Sequence, residues 1–585
     1  MNRPFDLDAA RRRARCKTTE PAPSAFTTAA QREWLTPRGF TLLQRAITDG
    51  HGLTEDLAHE VARALRGWAT NRGATHVAFR VHPLAGEPTE YRLPLSGLTG
   101  DDLVGGTRAT APVARATWSS AGTPWRADLA GTGGATRGGD SAGPGRLTWD
   151  PASLPYIRVV AGGAVLCLPS VLASDAGEAL DHRLPLMRSE DALAAAAARA
   201  LRVLDDVSGY RVQPTVALTR GFELADQGPR SPRTRADRAS ACVIAAEREL
   251  DRIGAGVRIG GEELTVLPSS AGIASDRLAV ALEVLRDVAP RYGFQLRERS
   301  AGPDAWSLMA GPHTNLLAPG TGPRAHLRFT FFAAAVVRAF ATHPDLVGSL
   351  DLGPDLSAVL SALARGELFA GSDEEYTAGA PRLPRVAGRH TEYGFTGAGF
   401  ALGQLDPFTA TIVNTIVAGA LTEQTRALEA WTAAGEDREP AVREVVADAF
   451  RRHCHTVATR DQATDEAALR SDLTVRLFAE QSVLSARELA VRDAARLQAE
   501  ARAAVERARA YVAPAAILRR ARLSPPRGPE AGRRAAEIDD ALRTVQAASR
   551  ALDAVVAGAA RAEDLCTDVP PLLDDLRAAA RRLRA

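Results

Sequence analysis

Few groups in this chain could do chemistry by themselves. His453-Cys454-His455 sets three metal-binding side chains in a row. On a helix adjacent residues point about 100 degrees apart, so the three cannot close on one ion. Lys17 is the only lysine among 585 residues, which disfavours a P-loop lysine, a Schiff base and a Ser-Lys dyad together. The glycine-rich stretch from Gly131 to Gly145 lacks P-loop spacing. Five scattered cysteines, Cys16, Cys167, Cys242, Cys454 and Cys566, contain no CxxC pair, so neither a zinc knuckle nor a disulfide framework is indicated. Cys167 lies in an apolar run and reads as a small buried residue. No nucleophile is nominated.

The elements around these residues describe a large soluble protein. Length alone implies three to four domains. With 72 basic and 70 acidic residues, no field of one sign calls for nucleic acid. No apolar run reaches membrane-spanning length and no signal peptide is evident, so a reducing cytoplasm is the expected location. Apolar spacing predicts a helix over 56–71 feeding a strand over 75–81. A helix over 189–207 precedes a strand over 210–218, and helices over 239–253 and 276–288 alternate with strand-like runs at 256–267 and 294–299. From Phe408 the pattern is nearly all helical, with a long Ala/Arg/Glu-rich stretch from Leu469 to Tyr511 broken at Pro514. A final helical pair spans 532–562 and 572–585.

Several phrases resemble type III glutamine synthetase. Trp68-Ala69, Gly73-Ala74-Thr75-His76 and Pro83-Leu84-Ala85-Gly86 open the likeness. Trp149-Asp150-Pro151, Leu166-Cys167-Leu168-Pro169, Gly177-Glu178-Ala179-Leu180-Asp181, Pro185-Leu186 and Arg188-Ser189 continue it. Trp306-Ser307-Leu308, Asn315-Leu316-Leu317, Phe395-Thr396-Gly397 and Asn414-Thr415-Ile416-Val417-Ala418 complete it in the same order. The resemblance implies an α+β, glutamine synthetase-like fold: a small β-grasp-like N-terminal domain, a catalytic-type domain on a curved antiparallel sheet, and a helical C-terminal region. The expected division is a loose arm over 1–35, the β-grasp-like domain over 36–130, a Gly-rich linker over 131–148, the catalytic-like domain over 149–420 and the helical region over 421–585. Family members form paired rings with sites between neighbouring subunits.

The resemblance also implies chemistry that these residues do not support. Glutamine synthetases transfer a phosphoryl group from ATP to glutamate and let ammonia displace it, with Mg or Mn ions held mainly by glutamates. The first metal phrase is replaced by Gly209 to Ala217, which holds no carboxylate. In the second, Thr265 stands where a metal-binding glutamate is expected, leaving Glu262 and Glu263 as the nearest substitutes. In the third, Pro303 replaces a histidine. The substrate phrase after Phe340 is absent, and Phe400-Ala401-Leu402-Gly403 replaces the last glutamate and arginine. Arg389 and Ser307 alone sit where the family places a catalytic arginine and a nucleotide-side polar group.

The chain is therefore expected to be a glutamine synthetase-like pseudoenzyme of nitrogen metabolism, acting by ligand binding or by assembly rather than as a glutamate-ammonia ligase. A homo-oligomer, a mixed oligomer with a competent homologue and a small-molecule ligand are the expected partners, with neither nucleic acid nor membrane. No cofactor is expected. The alternative is an ATP-dependent carboxylate-amine ligase with a changed substrate, using ATP and Mg or Mn through a rebuilt site drawn from residues such as Asp373, Glu374 and Glu375.

Overall fold

The computed structural model describes residues 24–108, 146–347, 394–453, 468–558 and 562–584, apart from short loop positions within those spans. The first layer is a six-stranded sheet of β1 (Ala74–Val81), β2 (Thr89–Pro94), β3 (Val104–Arg108), β4 (Arg146–Trp149), β5 (Tyr156–Val160) and β6 (Gly163–Ala173). Its order is β2-β1-β6-β4-β3, with β5 also on β6. The almost unbroken apolar run from Ala164 to Leu172 makes β6 a strand buried on both faces. One edge of β6 pairs in parallel with β1 and the other antiparallel with β5 and then β4. Helix α1 (Glu55–Thr70) packs on this sheet, burying Leu57, Val61, Leu65 and Trp68 at helical spacing. The helix and strand expected here are both present.

Two expectations about boundaries meet a different arrangement. Residues 24–35, assigned by composition to a loose arm, include a short helix, Thr28–Trp34, and are packed. Phe26 is buried with its ring 5.2 Å from that of Trp68, and the Ile157 N–H donates to the Ser24 carbonyl at 2.6 Å. The division at residue 149 falls within the first sheet, because β4, β5 and β6 complete it around β1. The Gly-rich segment up to residue 145 lies outside the described residues.

Among the described residues nine further strands make two antiparallel sheets: β7 (Val212–Ala217), β8 (Thr219–Asp226), β9 (Val257–Gly260), β10 (Glu263–Val266), β11 (Phe294–Arg299), β12 (Asp304–Ala310), β13 (Thr314–Asn315), β14 (Gly394–Phe395) and β15 (Phe400–Leu402). One is ordered β11-β8-β10-β9. The other is ordered β13-β12-β15-β14, with β7 along the opposite edge of β12. They share one large apolar core with helices α2 (Arg183–Val203), α3 (Ala271–Val288), α4 (Pro323–Thr342) and α5 (Pro407–Ala433). Helix α2 starts at Arg183, earlier than Ser189, because Pro185 is tolerated in a first turn. Helix α5 is apolar almost all round and correspondingly buried. Asp406 caps it, accepting the Thr409 N–H at 2.7 Å, with Pro407 at the first helical position.

The C-terminal region is helical, as expected, and has an apolar cluster of its own along α6 (Ala486–Arg507), α7 (Pro529–Gly558) and α8 (Ala562–Arg584). Pro570 and Pro571 do not delimit the last helix but lie inside α8. Buried Leu565, Val569 and Leu573 carry that helix across the hydrogen bonds the prolines remove. No helix among the described residues is long and apolar enough to cross a membrane.

One carboxyl in this scaffold gives stability a particular pH dependence. Glu190 on α2 accepts the Ala271 N–H at 2.9 Å at the start of α3. Burial, against the opposing backbone hydrogen bonds, pushes it up to about 7. The native carboxyl then keeps its proton where the unfolded one has lost it, so stability falls as pH rises between about 4.5 and 7. Relative to Glu190→Gln, the wild type is expected to lose roughly 1–3 kcal/mol across that window. Urea midpoints of both chains at the two ends of the window read this directly, and parallel profiles refute it.

Candidate functional site

The place to seek the expected site is the sheet of β7 and β12–β15, whose register decides what each face presents. Directly opposed residues in antiparallel strands share a face. Trp306 opposes Val216 and Phe400, and Leu308 opposes Pro214, all buried toward the core. On the other face Ala305 opposes Ala217 and Ala401, Ser307 opposes Thr215, and Met309 opposes Gln213 and Asn315. That face is neutral. Its polar groups are two hydroxyls and two amides, and Ser307 donates to Asn315 Oδ1 at 2.9 Å.

Gly399, in the Phe395 phrase, closes tightly on this sheet. At φ 151° a Cβ would stand 2.4 Å from the Trp306 carbonyl oxygen, so no side chain fits. Asp304, one residue before the neutral series, points the other way. It is fully buried and engaged by Arg220 at 2.8 Å. Burial raises its pKa despite the opposing guanidinium.

The sequence-derived candidates do not converge. Glu262 and Glu263 are exposed at the β9–β10 hairpin, on a different sheet from Ser307. The Glu262 carboxylate lies 3.7 Å from Arg299, an exposed ion pair. Arg389 lies outside the described residues, as do Asp373, Glu374, Glu375, Cys454 and His455. So does a G-x-S-x-G run, Gly139 to Gly143, that the sequence also contains. His453 closes a helix, Arg438–His453, where burial lowers its pKa. Among the described residues no three His, Cys, Asp or Glu side chains gather in a way that could hold a metal ion. Hard divalent ions need several oxygen ligands, mostly anionic, and the described sheet face does not fit them. Sequence reasoning missed the Asp304–Arg220 pair, whose only signal was a lone aspartate opening a strand.

Known proteins give this architecture a relationship. The family model described as "Glutamine synthetase type III N terminal" matches residues 20–97 and 132–189. The "Type-3 glutamine synthetase" of Dictyostelium discoideum is 25% identical over 566 residues, covering 79% of this chain and 75% of that protein. Over residues 20–97 and 132–189 the chain carries the N-terminal part of the type III glutamine synthetase family. The "Glutamine synthetase" of Bacteroides fragilis (strain YCH46) is 21% identical over 454 residues, covering 65% of this chain but only 60% of the relative. A solved "novel glutamine synthase homolog" is 18% identical and covers 70% of this chain and 98% of its own, with a TM-score of 0.34.

In this chain the phrases shared with type III glutamine synthetases are tied to one another by scaffold contacts. Asp150 accepts from Arg183 Nε at 3.1 Å, and the same guanidinium reaches Asp276 and Ser153, each at 2.6 Å. Asp181 accepts the Leu172 and Leu184 N–H groups at 2.7 and 3.0 Å. Burial, against those bonds, pushes its carboxyl up to about 6. Arg188 reaches Glu488 on α6 at 2.9 Å. Trp306 Nε1 donates to Asn414 Oδ1 at 3.1 Å, Asn414 Nδ2 to Ser189 Oγ at 3.2 Å, and Ser189 to the Leu186 carbonyl at 2.7 Å. Three phrases distant in sequence thus meet in one buried chain joining β12, α5 and α2. Cys167, in a fourth, is buried, which raises its thiol to about 12 and keeps it unreactive at neutral pH.

Proposed function

We propose that this glutamine synthetase homologue is catalytically inactive as a glutamate-ammonia ligase and acts by binding a ligand in the vestigial cleft or by assembling with a partner, either copies of itself or a competent homologue. One observation carries the reading: the face formed by Gln213, Thr215, Ala217, Ala305, Ser307, Met309 and Ala401 offers no carboxylate. Phosphoryl transfer to a carboxylate relies on metal ions to hold the phosphates and neutralise developing charge. Neutral hydroxyls and amides do not replace that charge. The protein then needs neither ATP nor Mg or Mn, and a cytoplasmic, oligomeric setting fits the reading.

The names of the two relatives support a second reading, an ATP-dependent carboxylate-amine ligase with a rebuilt metal site. Calorimetric titration with ATP in excess magnesium or manganese, with and without glutamate, separates the two. The inactive reading expects no saturable heat and no glutamine formed from glutamate and ammonia. Metal-dependent ATP binding with phosphate release sinks it and establishes the ligase.

A further inference from the structure

Outside the vestigial cleft, one face of the C-terminal helices is left uncovered among the described residues. Helix α6 runs on through a single π-helical turn, Ala508–Val512, into a further helix, Ala513–Arg522. The break has a local cause: Pro514 has no N–H to return to the Ala510 carbonyl, and a widened turn absorbs that defect. Inward, Val505, Ala508, Val512 and Ala516 are buried in the apolar cluster shared with α7 and α8. Outward, Tyr511 is 74% and Leu518 64% exposed. Arg507, Pro514, Ala515 and Arg522 are exposed with them, at the three- and four-residue steps of one helix face.

Shape and charge make this face more than two stray apolar residues. Tyr511 and Leu518 stand about 10 Å apart along the axis, and the small Pro514 and Ala515 lie between them. The gap is a notch with two tall walls, suited to one large side chain of a crossing helix. Arg507 and Arg522 stand at its two ends, about 22 Å apart. Over residues 502–522 there are six arginines and a single acidic residue, Glu506. Arg509 and Arg520 are matched by Asp553 and Asp539, but Arg502, Arg507 and Arg522 form no ion pair among the described residues. Arg519 donates to the Leu583 carbonyl at 3.3 Å, which sets the last turn of α8, with exposed Arg581 and Arg582, beside the same helix.

These charges select the occupant. Two-fold pairing with a second copy sets Arg507 opposite Arg522 if the helices run antiparallel, and each arginine against itself if they run parallel, so the face repels its own copy. Attachment to a lipid surface grows with the apolar area inserted, and two tall side chains separated by proline and alanine offer little of it. We propose that this face docks an acidic amphipathic helix of another protein. A leucine-sized side chain fills the notch between Tyr511 and Leu518, and carboxylates about two turns to either side of it pair with Arg507 and Arg522. The surface is separate from the β7 and β12–β15 sheet, so it holds whether or not the cleft binds a ligand.

The test is fluorescence anisotropy of a labelled synthetic helix titrated with the full chain at low salt. The probe carries leucine at its centre and one turn to either side, glutamates two turns out at each end, and alanine elsewhere. A control peptide replaces the leucines with alanine. Saturable binding of the probe is expected, weakened about tenfold for the control peptide and for Leu518→Ser. Joint replacement Arg507→Gln and Arg522→Gln should weaken it about fivefold and flatten its salt dependence. These side chains are exposed, so the variants should melt as the wild type does. No saturable binding, a control peptide that binds equally well, or wild-type affinity in Leu518→Ser overturns the proposal. Leu518-dependent binding to vesicles of phosphatidylcholine and phosphatidylserine would instead make the face a lipid surface, and a sedimenting dimer dissolved by Leu518→Ser would make the occupant a second copy; either result also overturns it.

Discussion

Replacing Glu283 with alanine is expected to lower the unfolding free energy at neutral pH by about 3–5 kcal/mol, the range for removing one member of a buried ion network. Glu283 lies on α3 and is buried together with Arg80 of β1 and Arg158 of β5. Its two oxygens are divided between them: Oε1 accepts from Arg80 and Oε2 from Arg158 at 2.6 Å. Arg80 also reaches Tyr156 and lies 3.7 Å from Glu90, while Arg158 reaches Asp287. The Glu283 carboxylate is therefore shared by two guanidiniums where the first sheet meets α3, with Glu90 and Asp287 adding negative charge on either side. Burial alone would raise its pKa, but the two arginines outweigh burial and hold it below the usual carboxylate range. A depressed folded pKa gives stability that is present above the unfolded value and lost as pH falls through the folded one. The penalty for Glu283→Ala should thus be full at pH 7 and shrink in acid. Chemical denaturation at neutral and acid pH measures both parts, and a neutral-pH loss below about 1 kcal/mol, the scale of exposed pairs, contradicts the account.

Glu283 also marks where the sequence stops being legible. Helix α1 and β1 could be read directly, because Leu57, Val61, Leu65 and Trp68 keep helical spacing and Val77, Phe79 and Val81 recur at every second residue, although the strand is buried on both faces from Val77 on. The family phrases could be read because they are contiguous. What they do could not, since Trp306, Asn414 and Ser189 meet only through the packing of β12, α5 and α2. Local composition also misled where tertiary packing prevailed. Residues 24–34, the described part of the expected arm, pack through Phe26, and the apparent division at residue 149 is spanned by a sheet whose central strand lies beyond it. Prolines 570 and 571 looked like a helix boundary because the apolar faces that hold α8 on its neighbours lie far away in sequence. In the site, the absence of a carboxylate from the first metal phrase and of the histidine from the third was visible in the residues themselves. That Thr215 and Ser307 stand side by side on one neutral face needed the register.

The second large effect is expected at Asp304, where Asp304→Ala should cost about 3–5 kcal/mol. The carboxylate has 0% exposure and closes four contacts. Oδ1 accepts the Thr219 N–H at 2.6 Å and Arg220 Nη1 at 2.9 Å, while Oδ2 accepts Arg220 Nη1 at 2.8 Å and the Leu405 N–H at 2.6 Å. One side chain thereby joins the start of β8, the start of β12 and the segment entering α5. Alanine would leave a largely buried guanidinium without its carboxylate and two backbone donors unpaired. The isosteric Asp304→Asn should recover only part of the loss, because its amide offers one acceptor oxygen and turns a second donor toward an existing N–H or guanidinium. Equilibrium unfolding of both variants ranks them, and an asparagine chain as stable as wild type would mean that shape rather than charge fixes this junction. The contrast with the neighbouring face gives the measurement its meaning. Asp304 shows that this sheet retains a carboxylate where a fixed guanidinium and backbone donors compensate it, while the positions on the opposite face have none. The charge at residue 304 belongs to the scaffold, so its loss should appear in unfolding free energy and leave ATP and metal titrations unchanged.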